Sequence, residues 1–82
     1  MPTETTAAPA MPIIRLRRDG DFYEAYGTEA ETLARELQIT LTGIMRGGVR
    51  VPMAGVPYHA IDRYAARLAE RGYAVELEGG DG

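Results

Sequence analysis

Apolar and polar residues alternate along two adjacent segments, IIRLRR and DFYEAY, which meet at Asp19-Gly20. Asp-Gly between two alternating segments predicts a β-hairpin with Asp19 and Gly20 as the central turn residues. In this register Arg17 lies opposite Phe22. Because side chains alternate between the faces of a strand, one face carries Ile14, Leu16, Tyr23 and Ala25, and the other carries Arg15, Arg17, Phe22 and Glu24. A register shift of one residue would exchange the faces.

Two later segments show the apolar spacing of helices. The first, over residues 29–37, begins at a capping box formed by Thr28 and Glu31. The second, over residues 59–71, ends at Gly72, and glycine is a common C-terminal cap. Two amphipathic helices are therefore predicted.

Three further strands are predicted, at residues 39–42, 49–53 and 73–78. GIMRGG, which carries Arg46, is expected to be a flexible loop, and AGVPY a turn. Pro52 has no N–H to donate, so it should mark an edge position or the end of its strand. The last strand should direct inward Tyr73, Val75 and Leu77.

The predicted element order is hairpin, helix, two strands, helix and strand. It indicates an α+β fold, a small mixed β-sheet with helices packed on it. The length of 82 residues allows one small domain. We expect a disordered N-terminal tail over residues 1–12, a folded module over 13–78 and a flexible C-terminus over 79–82.

The composition argues against several classes of site. The chain has no cysteine and one histidine, His59, so neither a disulfide nor a metal site is predicted, and no cofactor is expected. It has no lysine, and hence no phosphate-binding loop ending in Gly-Lys-Ser/Thr, so ATP binding is not expected. No apolar run could span a membrane, and the N-terminus lacks the pattern of a signal peptide. A cytoplasmic protein without a membrane role is the expectation.

Nine basic residues face twelve acidic ones, which gives a formal net charge of −3. A protein that held duplex DNA by phosphate contacts alone would usually be basic. The arginines concentrate in residues 15–50, where six stand against six acidic residues. All nine basic residues are arginine, whose planar guanidinium suits phosphates and base edges. A GC-rich genome would produce the same preference for arginine over lysine, and we prefer this compositional explanation.

Three segments taken together carry a resemblance to a known family: DGDFYEAYG, ITLTG and PMAGVPYHAIDRYAARLAERGYAV. They resemble the N-terminal mismatch-recognition domain, domain I, of the MutS family of DNA mismatch repair proteins, over about residues 13–75. The resemblance implies that the family's Phe-X-Glu triplet corresponds to Phe22, Tyr23 and Glu24. In the family, the phenylalanine enters the minor groove and stacks on a mispaired or unpaired base, and the glutamate hydrogen-bonds that base.

The sequence departs from the family pattern at several places. Asp19 stands where an apolar residue usually precedes the glycine, and the last strand continues into Glu-Leu-Glu in place of Cys-Glu-Gln. Later strands of the domain, the connector, lever and clamp domains and the ATPase have no counterpart. The sequence thus resembles the front part of the recognition domain standing alone, and it is also similar to modules within large phage or mobile-element proteins.

The candidate residues each allow two interpretations. Phe22 is either an exposed wedge or a ring that packs under a loop or at a crystal or dimer contact. Glu24 either accepts a hydrogen bond from a base or donates one to it, or it pairs with Arg15 across the hairpin. Tyr23 is assigned to the core. The arginines that could meet phosphates, or simply remain solvated, are Arg15, Arg17, Arg46 and Arg50.

These observations favour a noncatalytic DNA-binding module that senses mispaired or distorted double-stranded DNA. Its binding alone should be weak, so other domains or protein partners are expected beside it. The alternative is a protein-interaction or oligomerisation module, with a homodimer as one form, that keeps the fold without mismatch binding and derives from a phage or mobile element.

Overall fold

The computed structural model describes residues 11–79. The predicted tail and C-terminus therefore lie mostly outside the described residues. Within these residues, five strands and two α-helices follow one another, with a short 3₁₀ helix at Tyr58–Ala60 before the second α-helix. The elements are β1 (Ile13–Asp19), β2 (Phe22–Tyr26), α1 (Thr28–Leu37), β3 (Thr42–Arg46), β4 (Val49–Pro57), α2 (Ile61–Glu70) and β5 (Ala74–Glu78). The α+β fold class predicted from the sequence is confirmed.

The strands form one mixed sheet in the order β3-β4-β2-β1-β5. Only β1 and β5 pair in parallel; the other neighbours are antiparallel. The β1–β5 contact continues to Pro12, whose carbonyl accepts a hydrogen bond of 2.9 Å from the amide of Ala74. Strands from the two ends of the described chain are thus joined side by side.

Both helices pack on the same face of the sheet. Their apolar stripes meet alternate residues of β1, β2 and β4, and each residue of this core is at most 8% exposed. The core consists of Ile14, Leu16, Ala25, Ala30, Leu33, Ala34, Leu37, Ala54, Val56 and Leu68. We call the opposite side of the sheet the open face. It carries the residues that alternate with the core residues along the strands, including Arg15, Arg17, Phe22, Glu24 and Tyr26.

The β1–β2 hairpin has a different register from the predicted one. Asp19 pairs with Phe22 and Arg17 with Glu24, so the central turn residues are Gly20 and Asp21. Gly20 has a φ of 61°, and the φ of Asp21 is not positive. A positive φ at the first central residue only is the pattern of a type II′ turn. The pairing moved by two residues, an even number, so the predicted assignment of residues to faces is still correct.

Of the two helix caps predicted from the sequence, the structure contradicts the N-terminal cap of α1 and confirms the C-terminal cap of α2. At the start of α1 no side chain caps the helix; Gly27, with a φ of 68°, is the N-cap, so the predicted capping box is wrong. At the end of α2, Gly72 donates to the carbonyl of Ala69 and Tyr73 to that of Leu68, each at 3.0 Å. This is the glycine-terminated cap that the sequence predicted.

The third and fourth strands differ most from the prediction. The predicted strand at residues 39–42 and the predicted loop GIMRGG are wrong, because β3 runs over Thr42–Arg46 and only Gly47 and Gly48 form the turn. Both glycines have positive φ, at 57° and 80°. AGVPY is not a turn but largely belongs to β4, where Pro57 pairs with Phe22.

Pro52 was predicted at an edge position or at the end of its strand, but it lies within β4, an interior strand of the sheet. Its carbonyl accepts a hydrogen bond of 2.9 Å from the amide of Gly27, just where β2 ends. The N–H and C=O of a residue in an antiparallel strand point to the same neighbour. The nitrogen of Pro52 therefore also faces the end of β2. Because it does not face β3, its lack of a hydrogen removes no hydrogen bond between β4 and β3. Leu77 in β5 pairs with Leu16 and so lies on the helix side of the sheet, as predicted, but it is 47% exposed there.

Candidate functional site

Phe22 is the first residue of β2 and follows the hairpin turn directly. It lies on the open face, between Asp19 of β1 and Pro57 of β4. The residue is 47% exposed and does not belong to the core. The structure therefore presents the only phenylalanine of the chain toward solvent, on a strand whose neighbouring residues are paired on both sides.

The turn before Phe22 is held by contacts on both sides. Arg18 donates from Nε to the carbonyl of Gly20 at 2.6 Å, and its guanidinium lies 3.6 Å from the centre of the Tyr58 ring. The amide of Tyr58 in turn donates to the carbonyl of Asp21 at 2.8 Å. Arg18 and Tyr58 thus clamp the turn, which fixes the position from which Phe22 projects.

Glu24 lies two residues beyond Phe22 on the same face and is half-buried. Gly55 of β4 pairs with it. A methyl group at Gly55 would come within 3.3 Å of Cγ of Glu24 and 3.2 Å of the carbonyl oxygen of Tyr23. The absence of a side chain at Gly55 therefore allows the Glu24 side chain to lie close over β4.

Tyr26 fixes one end of the Glu24 carboxylate. Its hydroxyl donates to Oε1 of Glu24 at 2.6 Å. This hydrogen bond is the main reason that the pKa of Tyr26 is raised above its ordinary value, with burial and the negative charge of Glu24 acting in the same direction and Arg46 against them. The contact was not predicted, although the two-residue spacing of Glu24 and Tyr26 on one strand was a visible signal for it.

The four arginines predicted as possible phosphate contacts have different partners and do not all lie on one face. Arg15 pairs with Glu29 at 3.1 Å and with Glu76 at 3.3 Å, not with Glu24. Its backbone amide also donates to Oε1 of Glu29 at 3.2 Å. Two acids from outside the hairpin thus hold the arginine that was considered as a partner for Glu24.

The other three arginines lie in different surroundings. Arg17 is exposed on the open face, and the guanidinium of Arg46 lies 5.1 Å from the centre of the Tyr26 ring. Arg50, by the alternation along β4, points to the opposite face, where its Nε would lie 2.7 Å from a methyl group at Gly43. The structure thus brings Arg17 and Arg46 to the face that carries Phe22 and places Arg50 on the other.

Glu24 stands between two depressions. A polar groove of about 700 Å³ contains four arginines and four acidic residues, and is lined by Arg15, Arg17, Arg18, Asp19, Glu24, Tyr26, Glu29, Arg46 and Glu78. A mainly apolar cleft of about 260 Å³ lies beside it and is lined by Phe22, Glu24, Thr40, Thr42, Met53, Ala54 and Gly55. Glu24 is the only residue in both linings, so its carboxylate adjoins both the charged groove and the Phe22 cleft.

Residues 11–79 contain no group of three or more His, Cys, Asp or Glu side chains placed to hold a metal ion. In the same part of the chain, no helix has the length and apolar character needed to cross a membrane.

The structure thus places an exposed phenylalanine and a half-buried glutamate on the same face of one strand. The family model described as MutS domain I matches residues 6–80 of this chain. The chain belongs to the MutS domain I family.

Individual members of this family are close in sequence. The DNA mismatch repair protein MutS of Methanosarcina mazei is 56% identical over 62 residues, which is 73% of this chain and 7% of that protein. MutS of Synechococcus elongatus is 52% identical over 66 residues, or 78% of this chain and 8% of the relative. MutS of Pelotomaculum thermopropionicum is 55% identical over 60 residues, covering 73% of this chain and 7% of the relative. The chain therefore spans less than a tenth of the length of these curated relatives.

Proposed function

We propose that this chain is a noncatalytic module that binds double-stranded DNA at mispaired or distorted positions. The observation that carries the proposal is the half-exposed ring of Phe22, placed beside Glu24 on the open face of β2. Membership of the MutS domain I family supports it, because the relatives named above are DNA mismatch repair proteins.

Phe22 acts as a wedge between base pairs. Separating stacked bases costs a few kcal/mol, and the cost is lowest at a mispaired or unpaired base. Stacking of an aromatic ring on the freed base returns about 1–3 kcal/mol. Because the contacts of Arg18 and Tyr58 already hold the backbone of the turn, little backbone freedom is lost when the ring inserts. The wedge therefore selects positions where the duplex is easily deformed.

Glu24 recognises the base next to the wedge. A carboxylate is repelled by phosphates, so it weakens non-specific binding unless a hydrogen-bond donor faces it. A base N–H that has lost its partner is such a donor, and hydrogen bonds to an ionised acceptor are strong. Glu24 thereby favours a disturbed base pair over an intact one.

The charges on the open face make this binding weak by itself. The polar groove contains as many acidic residues as arginines, and the whole chain has a net charge of −3. Phosphate contacts come from Arg17 and Arg46, because Arg15 is engaged by two glutamates and Arg50 lies on the other face. Neighbouring domains or protein partners supply the remaining affinity.

A titration at low salt tests the proposal. The 82-residue chain is titrated into labelled duplexes that contain a G·T mismatch, one unpaired T, or only matched pairs, and fluorescence anisotropy is recorded. We expect tighter binding to the first two duplexes, and about tenfold weaker binding to them for Phe22→Ala, as loss of one stacked base implies.

Met45→Ala is the matched control. Met45 is 64% exposed and, by the alternation along β3, lies on the side away from Phe22, so its truncation removes exposed apolar surface outside the proposed site. Equal binding of the three duplexes by the unmodified chain, or unchanged binding by Phe22→Ala, would contradict the proposal.

A protein-interaction module is the second candidate. It is favoured by the two outer strands of the sheet, β3 and β5, and by large apolar side chains that are exposed near them, Met45, Val49 and Leu77. Unpaired sheet edges can add a strand from a partner or from a second copy. NMR shifts that depend on protein concentration and map to these strands, together with dimers in light scattering, would support this candidate. DNA-dependent shifts around residues 15–24 would support the first.

A further inference from the structure

We infer that Tyr26 is a positioning residue that determines how Glu24 meets a base. Its hydroxyl holds one carboxylate oxygen and leaves the other for the DNA. This inference rests on the proposed function, and it concerns a contact outside the Phe-X-Glu triplet.

The geometry of the contact supports this role. Glu24 and Tyr26 lie on the same face of β2, and the hydroxyl-to-Oε1 distance is 2.6 Å. That distance is typical of an O–H donor bound to an ionised carboxylate, which is stronger than a hydrogen bond between neutral groups. Both residues are half-buried, so the bond is partly shielded from water. Oε1 is therefore occupied before any DNA arrives.

Two further contacts limit the movement of this pair. The guanidinium of Arg46 lies over the ring of Tyr26 at 5.1 Å, and Gly55 pairs with Glu24, so near that an added methyl group would lie 3.3 Å from its Cγ. A free glutamate side chain loses rotamer freedom when it binds. Here the tyrosine, the arginine and the backbone of β4 remove that freedom in advance, which is the usual benefit of a preorganised site.

The occupied oxygen also restricts what Glu24 can recognise. The hydroxyl of Tyr26 already uses Oε1 as an acceptor, and an ionised carboxylate accepts hydrogen bonds and donates none. The remaining oxygen, Oε2, therefore suits a base edge that offers an N–H. A base edge with only acceptor atoms is disfavoured, because both groups would carry lone pairs. Tyr26 thus acts through Glu24 on the choice of base.

A double-mutant comparison tests this role. Tyr26→Phe keeps the ring under Arg46 and removes only the hydroxyl. The ratio of affinities for the duplex with one unpaired T and the matched duplex is measured for the unmodified chain, Tyr26→Phe, Glu24→Ala and the double variant. We expect Tyr26→Phe to lower the ratio by about three- to tenfold, with matched binding unchanged. In the Glu24→Ala background the same change should have no effect, which separates positioning from a structural role.

Two controls sharpen the result. Tyr64→Phe removes a tyrosine hydroxyl from α2, which packs on the helix side of the sheet, and should leave the ratio unchanged. NMR titration of ¹³C-labelled tyrosine reads the contact without DNA, since loss of Glu24 should bring the pKa of Tyr26 down toward 10.0.

The outcomes separate the two proposals. If the unmodified chain does not distinguish the duplexes, the proposed function fails, and this inference fails with it. If it does distinguish them but Tyr26→Phe keeps or raises the ratio, or lowers it equally without Glu24, only the positioning role of Tyr26 is overturned.

Discussion

Consecutive residues of β2 belong to two different environments. Ala25 is 1% exposed and packs in the core, whereas Phe22, on the other side of the same strand, is 47% exposed. Glu24 and Tyr26 share the open face with Phe22 and satisfy each other by a hydrogen bond. One strand of five residues thus contributes both to the hydrophobic core and to the proposed site.

The two faces use different kinds of contact. The described residues bury no polar or charged side chain on the helix side, where methyl and methylene groups fill the space between sheet and helices. The open face instead carries ion pairs and tyrosine contacts that remain partly in water. Burial of apolar surface provides most of the free energy of folding, so stability should depend mainly on one face and DNA binding on the other. Three comparisons between variants test this separation.

The largest expected effect is on stability at the helix side. Leu16 is 1% exposed, and Leu16→Ala should lower the free energy of unfolding by about 2–5 kcal/mol, because it leaves a cavity in a small core. Phe22→Ala, on the open face, should lower it by only about 1 kcal/mol, since half of the ring is already in water. Urea unfolding followed by circular dichroism measures both. Equal losses would show that the open face is also part of the core.

A smaller effect is expected at Gly55, where the open face meets the backbone of the sheet. Gly55→Ala brings a methyl group within 3.3 Å of Cγ of Glu24 and 3.2 Å of the Tyr23 carbonyl. We expect a loss of about 1–2 kcal/mol of stability from crowding. Displacement of Glu24 should also reduce the preference for mismatched DNA.

Urea unfolding and the duplex titration measure the two consequences of Gly55→Ala. Glu24→Ala, which removes the carboxylate without the added methyl group, serves as the reference for the binding measurement. A Gly55→Ala variant with unchanged stability and unchanged preference would show that the close approach at Gly55 has no role.

The smallest effect separates two arginines on opposite faces. Arg17→Ala should reduce the slope of log K against log salt concentration by about 1, as expected for one lost phosphate contact. Arg50→Ala should not change the slope, since Arg50 lies on the side away from Phe22. DNA titrations at several salt concentrations measure it. A change for Arg50 but not for Arg17 would place the DNA on the other face.

Local patterns in the sequence were enough to predict several features. The alternation in IIRLRR and DFYEAY placed Phe22 and Glu24 on one face, and this assignment holds although the turn is Gly20-Asp21 rather than Asp19-Gly20. A strand with a period of two keeps its faces when the pairing moves by two residues. Gly72 was likewise readable as a helix end, because a positive φ there favours glycine whatever the rest of the fold.

Features that depend on residues distant in the sequence could not be predicted from local patterns. GIMR and AGVP look like loop and turn, yet both are in strands. GIMR pairs with residues 49–52 across the Gly47-Gly48 turn, and AGVP pairs with β2. Arg15 was weighed as a partner of Glu24, but the parallel pairing of β1 with β5 brings Glu76 next to it, 61 positions along the chain. Such contacts follow from the order of strands in the sheet.

The sequence by itself determined which residues of the first hairpin face the core, because that depends only on the alternation of side chains along a strand. It also determined the two helices, whose apolar spacing is equally local. The tertiary structure alone decided the strand order, the interior position of Pro52 and the partners of Arg15. The reason is that these depend on which distant segments pair, and such pairing is set by the burial and hydrogen bonding of the whole domain rather than by any short stretch of the chain.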